Sequence, residues 1–120
     1  MRITKVNAII LKLPEISSAA DGTQDDLIIV VETNEGITGY GEVDTAPLVG
    51  KAVVESYMSH GTCYGLSEVV TGSDPFDYEQ VWNDMWAKTY YYGRSGPVIH
   101  VMSGIDMALW DIMGKATGKP

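Results

Sequence analysis

The strongest constraint in this sequence lies near its end, where Val98, Val101, Met102, Ile105, Leu109, Ile112, Met113 and Ala116 recur at steps of three and four. That spacing puts all of them on one face of a helix, so the segment must be a long helix lying on a core. Gly104 and Ala108 form a small patch beside the stripe, and Asp111 and Lys115 sit one turn apart as a supporting pair. Gly118 and Pro120 then end the helix, the first by a left-handed cap and the second by its missing donor.

A helix with one apolar face needs a surface to bury it against, and the start of the chain supplies strands. Residues 2–13 are rich in β-branched and aliphatic side chains and stop at Pro14, which predicts a first strand. Glu15 to Asp26 follows neither periodicity and reads as an exposed loop of about a dozen residues with few side chains to anchor it. Leu27 to Thr33, the turn residues Asn34-Glu35-Gly36, and Ile37 to Val43 spell a β-hairpin. Pro47 suits a first helical turn, and Leu48, Val49, Ala52, Val53 and Tyr57 predict a helix to about His60, with a second short one after Gly61. Ser73-Asp74-Pro75 marks another helix start, because Asp74 can accept first-turn amides. Tyr78, Val81, Trp82, Met85, Trp86 and Thr89 share one face of that helix. The expected fold is therefore α+β: a three-stranded antiparallel meander followed by a helical bundle.

At 120 residues and 45% apolar content the chain has the size of one domain with one core. A formal charge of −8, with Lys and Arg scattered from Arg2 to Lys119, argues against a nucleic-acid partner, since phosphate binding needs clustered cations. No apolar run reaches the roughly 18 residues that cross a membrane, and the first residues lack the pattern of a signal peptide, so a cytoplasmic setting is expected. Cys63 is the only cysteine, which excludes an intrachain disulfide.

Gly39-Tyr40-Gly41-Glu42 invites a phosphate-loop interpretation, but these glycines interrupt a strand instead of joining a strand to a helix. Glycine inside a strand marks a bulge or the close approach of another backbone. His60 and His100 have no partner at metal-site spacing and are assigned structural roles. Asp106, next to the apolar stripe, is either a catalytic acid or, as is commoner, a partly buried carboxylate paired with a neighbouring donor.

Three blocks carry a resemblance: Gly36-Ile37-Thr38-Gly39-Tyr40-Gly41-Glu42, then Asp74-Pro75 before the helix of Trp82 and Trp86, and above all the run from Ser103 to Pro120, SGIDMALWDIMGKATGKP. In this order they resemble the amino-terminal capping domain of the enolase superfamily, of the mandelate racemase/muconate lactonizing type, over essentially the whole chain. The resemblance implies a cap, residues 1–120, whose two loops, Pro14 to Asp26 and Asp44 to Lys51, close over the mouth of a (β/α)₈ barrel that would follow Pro120. It also implies a magnesium ion bound by that barrel and not by this chain. The base and metal ligands would lie at the ends of barrel strands, so no catalytic residue is assigned here.

Such enzymes remove the proton next to a substrate carboxylate and hold the resulting enediolate on the metal, using a Lys or His base. The implied partners are the protein's own C-terminal barrel and a small carboxylate substrate, in an acid-sugar dehydratase or racemase. Muconate cycloisomerase-like and dipeptide-epimerase-like members are the alternatives, as is a stand-alone binding module. Ile16, Ser17, Asp21 and Thr45 are the loop residues placed by resemblance to touch substrate or exclude water, with Arg94 as a further candidate for a carboxylate or a neighbouring domain. Each is equally readable as a solvated surface residue. Apolar surface left by an absent barrel predicts self-association, a homo-oligomer.

Overall fold

The computed structural model describes residues 1–19 and 24–120. Strands β1 (Ile3–Lys12), β2 (Asp25–Thr33) and β3 (Thr38–Val43) form an antiparallel sheet in the order β1-β2-β3. The alternation expected of a half-covered sheet is clearest in β2, where Leu27, Ile29, Val31 and Thr33 are buried while the residues between them are half-exposed. The hairpin closes at Gly36, whose φ of 78° the turn requires, and the Thr33 hydroxyl donates to Ile37 O at 2.8 Å.

Helices α1 (Pro47–Glu55), α2 (Leu66–Val70), α3 (Tyr78–Lys88) and α4 (Pro97–Thr117) complete the order. α1, α2 and α4 cover the face of the sheet that carries Ile3, Val6, Ala8, Leu27, Ile29, Val31 and Val43, α3 packs on α2 and α4, and the core is shared between these strands and Val101, Met102, Ile105 and Leu109 of α4. On the opposite face, with Ile9 paired to Ile28 and Val30 paired to Tyr40, Ile9 and Tyr40 are exposed and no helix of the described residues lies over them.

The glycines of β3 resolve in favour of close approach. A Cβ on Gly39 would fall 2.1 Å from Ala108 O, and one on Gly41 would fall 1.9 Å from Gly104 O, while both residues keep regular pairing with β2. Two glycines on the strand thus let the backbone of α4 rest almost directly on β3, with Gly104 and Ala108 as the matching small patch. At the far end Gly118 takes the left-handed conformation and its N–H bonds Gly114 O, as its position in the sequence requires.

Two helix expectations need correction. α1 stops at Glu55, not near His60: Ser56 turns into extended backbone, and His60 and Cys63 pair across a tight turn, with Ser59 N–H donating to Cys63 O at 2.8 Å. Its buried face is Pro47, Gly50, Val53 and Val54, whereas Leu48, Val49 and Tyr57 are exposed. The small Gly50 sets this face, because there the helix closes on Leu27 and Thr45. α3 begins at Tyr78, one turn later than Asp74 predicts; Asp74 instead accepts the N–H of Phe76 at 3.0 Å in a turn that precedes the helix. Of its expected stripe, Val81, Met85 and Thr89 are core, and Trp86 remains exposed.

Candidate functional site

The meander brings the C-terminal end of β1, the start of β2 and the end of β3 to one edge of the domain, since Lys12 pairs with Asp25 and Leu27 with Val43. The loops after Lys12 and after Val43 leave from that edge. α4 runs antiparallel to β3, with Gly41 beside Gly104 and Gly39 beside Ala108, so its N-terminus arrives at the same place.

Of the five residues singled out from the sequence, Ile16 and Ser17 sit exposed on the first loop. The loop is better anchored at its base than its composition predicts. The Gln24 side-chain carbonyl accepts the N–H of Ser17 at 2.7 Å and its amide donates to Ser17 O at 2.8 Å, while Leu13 N–H bonds Gln24 O at 2.9 Å. Asp21 lies outside the described residues. Thr45 is half-buried at the entry to α1, its N–H bonded to Val43 O at 3.0 Å and its methyl against Gly50. Arg94 precedes α4 on a backbone with φ of 70°; its Nε donates to Tyr90 O at 3.2 Å and its guanidinium lies 4.7 Å from the centre of the Tyr90 ring. Among the described residues no hydrogen bond joins Ser17, Thr45 and Arg94 to one another, and no carboxylate meets Arg94.

What the fold does assemble at this edge is a depression of about 390 Å³ lined by Glu42, Asp44, His100, Ser103 and Met107. His100 Nδ1 lies 2.7 Å from Asp44 O. A carbonyl can only accept, so Nδ1 carries the proton and Nε2 is the free position. This contact pins the loop after β3 to the first turn of α4. Glu42, Asp44 and Ser103 escaped sequence reasoning because they come from two elements 56 or more positions apart, and only the His100–Asp44 contact reveals the link. Among the described residues no three His, Cys, Asp or Glu side chains converge on a metal-sized point, so the donor set offers magnesium no cage.

The two aspartates of α4 stand in opposite environments. Burial pushes Asp111 up, but the hydrogen bond from Lys115, the one from Tyr40 N–H and the Lys115 charge together outweigh it, leaving the carboxyl below its usual range. Asp111 Oδ2 accepts from Tyr40 N–H at 2.9 Å and from Lys115 Nζ at 2.6 Å, and Lys115 also donates to Thr38 O at 2.7 Å. The pair thus satisfies the open edge of β3. Asp106 is raised by burial, and a hydrogen bond from the Trp110 side chain lowers it only in part. It borders a second groove, of about 540 Å³, between α3 and α4, lined by Tyr78, Glu79, Trp82, Asn83, Asp106 and Trp110. Burial and, after it, the neighbouring Cys63 push Tyr92 up to about 12, so its hydroxyl stays protonated and donates to Tyr64 O at 2.6 Å. No described helix is long and apolar enough to cross a membrane.

Residues 3–120 match the family model described as mandelate racemase / muconate lactonizing enzyme, N-terminal domain. Among solved structures, a predicted mandelate racemase from Rhodobacter sphaeroides superposes with a TM-score of 0.83 at 33% identity, over 97% of this chain and 29% of that one. An enolase-superfamily member from Polaromonas sp. JS666 gives 0.74 at 34% identity, over 98% and 31%. The 3,6-anhydro-D-galactonate cycloisomerase from Zobellia galactanivorans gives 0.76 at 26% identity, over 98% and 29%. The chain thus spans about three-tenths of the length of these proteins.

Proposed function

Since the chain belongs to the mandelate racemase / muconate lactonizing enzyme family, as its N-terminal domain, we propose that it caps a larger cytoplasmic enzyme and selects the substrate of a following (β/α)₈ barrel. The reaction we assign to the whole protein is removal of the α-proton of a small carboxylate, in an acid-sugar dehydratase or racemase. Magnesium would supply Lewis-acid stabilisation of the enediolate from that barrel. This chain contributes no ligand set to it among the described residues.

The observation that carries the proposal is the single edge where the loop after β1, the loop after β3 and the N-terminus of α4 meet, with Asp44 tied to His100 at 2.7 Å. A cap needs loops held at one rim by a rigid base, and loops on a fixed scaffold are where selectivity is commonly placed. Ile16, Ser17, Asp21 and Thr45 are proposed to face substrate or shut out water, and Arg94 to meet a carboxylate or the next domain. The anhydro-sugar acid in the name of the Zobellia enzyme favours an acid-sugar substrate and keeps cycloisomerisation as the second candidate reaction.

The test is α-proton exchange in deuterated water, with magnesium, by the protein encoded in continuity with this chain, across a panel of acid sugars. Ile16→Ala and Thr45→Ala should change the ranking of kcat/KM among substrates by about tenfold, the scale of a lost apolar contact. An unchanged ranking sinks the cap assignment. The 120-residue chain alone should exchange no α-proton and bind magnesium only weakly by calorimetry.

A further inference from the structure

The groove between α3 and α4 has the composition of a receptor for an organic cation, and the described residues offer it none. Tyr78 and Trp82 stand one turn apart on α3, as do Asp106 and Trp110 on α4, and the Tyr78 and Trp110 rings meet at 4.9 Å between centres with a tilt of 50°. Glu79 and Asn83 complete the lining. Three aromatic rings and two carboxylates therefore border one space of about 540 Å³. Neither Asp106 nor Glu79 takes part in an ion pair among the described residues. Four cations are engaged elsewhere in the domain: Lys115 by Asp111 and Thr38, Lys88 by the Tyr64 ring, Lys51 by Glu55, Arg94 by Tyr90.

Two features define the chemistry the groove would accept. Indole and phenol faces attract a delocalised cation, and a carboxylate between them fixes its orientation by paired hydrogen bonds, a combination that a planar guanidinium satisfies better than a compact ammonium. The groove is also open on the outer side of α3 and α4, where Trp110 is 53% exposed, although solvent-facing tryptophan is uncommon on a helix that has already filled its core. We infer that the α3–α4 groove receives an arginine side chain from the domain that follows Pro120 in the longer protein, held by Asp106 between the rings of Trp82 and Trp110. The occupant rests on the cap assignment above; the cation specificity of the groove stands on this chain alone. Burial has lifted the Asp106 carboxyl, and a guanidinium beside it would restore the charge balance that the isolated chain lacks.

The probe is N-methylguanidinium, titrated at constant ionic strength into the 120-residue chain and into the longer protein, with the indole N–H signals of Trp82 and Trp110 as readout. Saturable shifts in the millimolar range are expected for the chain, about tenfold weaker for methylammonium and about tenfold weaker in Asp106→Asn and Trp110→Ala, variants at partly exposed positions. The longer protein should show no saturable shift, because its own arginine fills the groove. Absence of saturation in the chain overturns the site, as does equal binding by Asp106→Asn. Equal saturation of both proteins overturns the intramolecular occupant. Saturation of the chain together with dilution-dependent self-association that the probe abolishes would assign the groove to a second copy and also overturn that occupant. Failure of the cap assignment reads out separately, in an unchanged substrate ranking or a reading frame that ends at Pro120.

Discussion

The inner and outer faces of α4 are built from the same short stretch of sequence and obey different rules. Inward, Gly104 and Ala108 meet the glycines of β3 at backbone distance, and Asp111 finds both a lysine and a free strand N–H. Outward, Asp106 and Trp110 face a groove in which the carboxylate has no cation among the described residues and more than half of the indole is open to solvent. The inner face is complete in itself. The outer face leaves a carboxylate and a large ring open, and the difference separates what this domain needs for folding from what the fold does not use.

The sharpest way to break that contrast is Gly41→Ala. One methyl would be driven to 1.9 Å from Gly104 O, a backbone atom that cannot rotate away. Strand and helix would have to part, at a cost of about 3 kcal/mol or more. Urea unfolding should show this as a fall in midpoint with the slope unchanged; a loss under 1 kcal/mol, roughly the scale of an ordinary surface change, would mean that α4 is not seated on β3.

Next comes Asp111→Ala, which strips the edge of β3 of its acceptor and Lys115 of its counter-ion. A loss of about 1.5 kcal/mol is expected, the lower end for a charged hydrogen bond because water screens a site this open. The pH dependence is specific. The folded carboxyl is held below its ordinary value, so its contribution is full above pH 3.8 and fades as pH falls through the lower folded value. Wild type and variant should therefore converge in strong acid. Parallel stability curves down to that range would mean the carboxylate does nothing for the edge.

These two cases also show how far the sequence reaches. Strand order, the hairpin and the span of α4 are legible because period-2 and period-3.6 patterns report which side of a backbone is dry, and Gly118 reports its own left-handed conformation. The face of α1 is not, because it depends on Gly50, a residue without hydropathy, packing on Leu27. Asp111 and Lys115 look like a pair supporting their own helix, and nothing local says that their further partners are Tyr40 and Thr38, more than 70 positions away. The loop residues Ile16, Ser17 and Thr45 stand out only through resemblance, whereas the Gln24 clasp that holds Ser17 has no sequence signature. Contacts between distant elements are where the pattern stops informing.

On the outer face, Trp110→Ala removes a large ring yet leaves the core intact. Its cost to the isolated chain should be about 1 kcal/mol, mainly the contact with Tyr78. A loss approaching that of Gly41→Ala would erase the distinction between the two faces, since Trp110 would then belong to the fold.

The smallest effect is the most diagnostic, because its sign is opposite. Asp106→Asn keeps shape and hydrogen-bonding capacity while removing a charge that burial disfavours. The folded pKa of Asp106 lies above the ordinary 3.8, so the folded state binds its proton more tightly than the unfolded chain does. Its contribution is fully favourable below pH 3.8 and is lost as pH rises through the folded value, which leaves a net charge penalty at pH 7. The variant should therefore equal or exceed wild type at pH 7, by no more than about 0.5 kcal/mol at a site so well screened by solvent. As pH falls wild type should gain on Asp106→Asn, whereas it should lose ground against Asp111→Ala. Chemical denaturation of the three proteins at about pH 7 and about pH 3 decides the matter: equal slopes for the two variants would mean that the two faces of α4 do not differ electrostatically. In the longer protein, where a guanidinium is proposed to reach Asp106, the same substitution should instead destabilise, because the carboxylate there would have gained the charge partner that Asp111 already has.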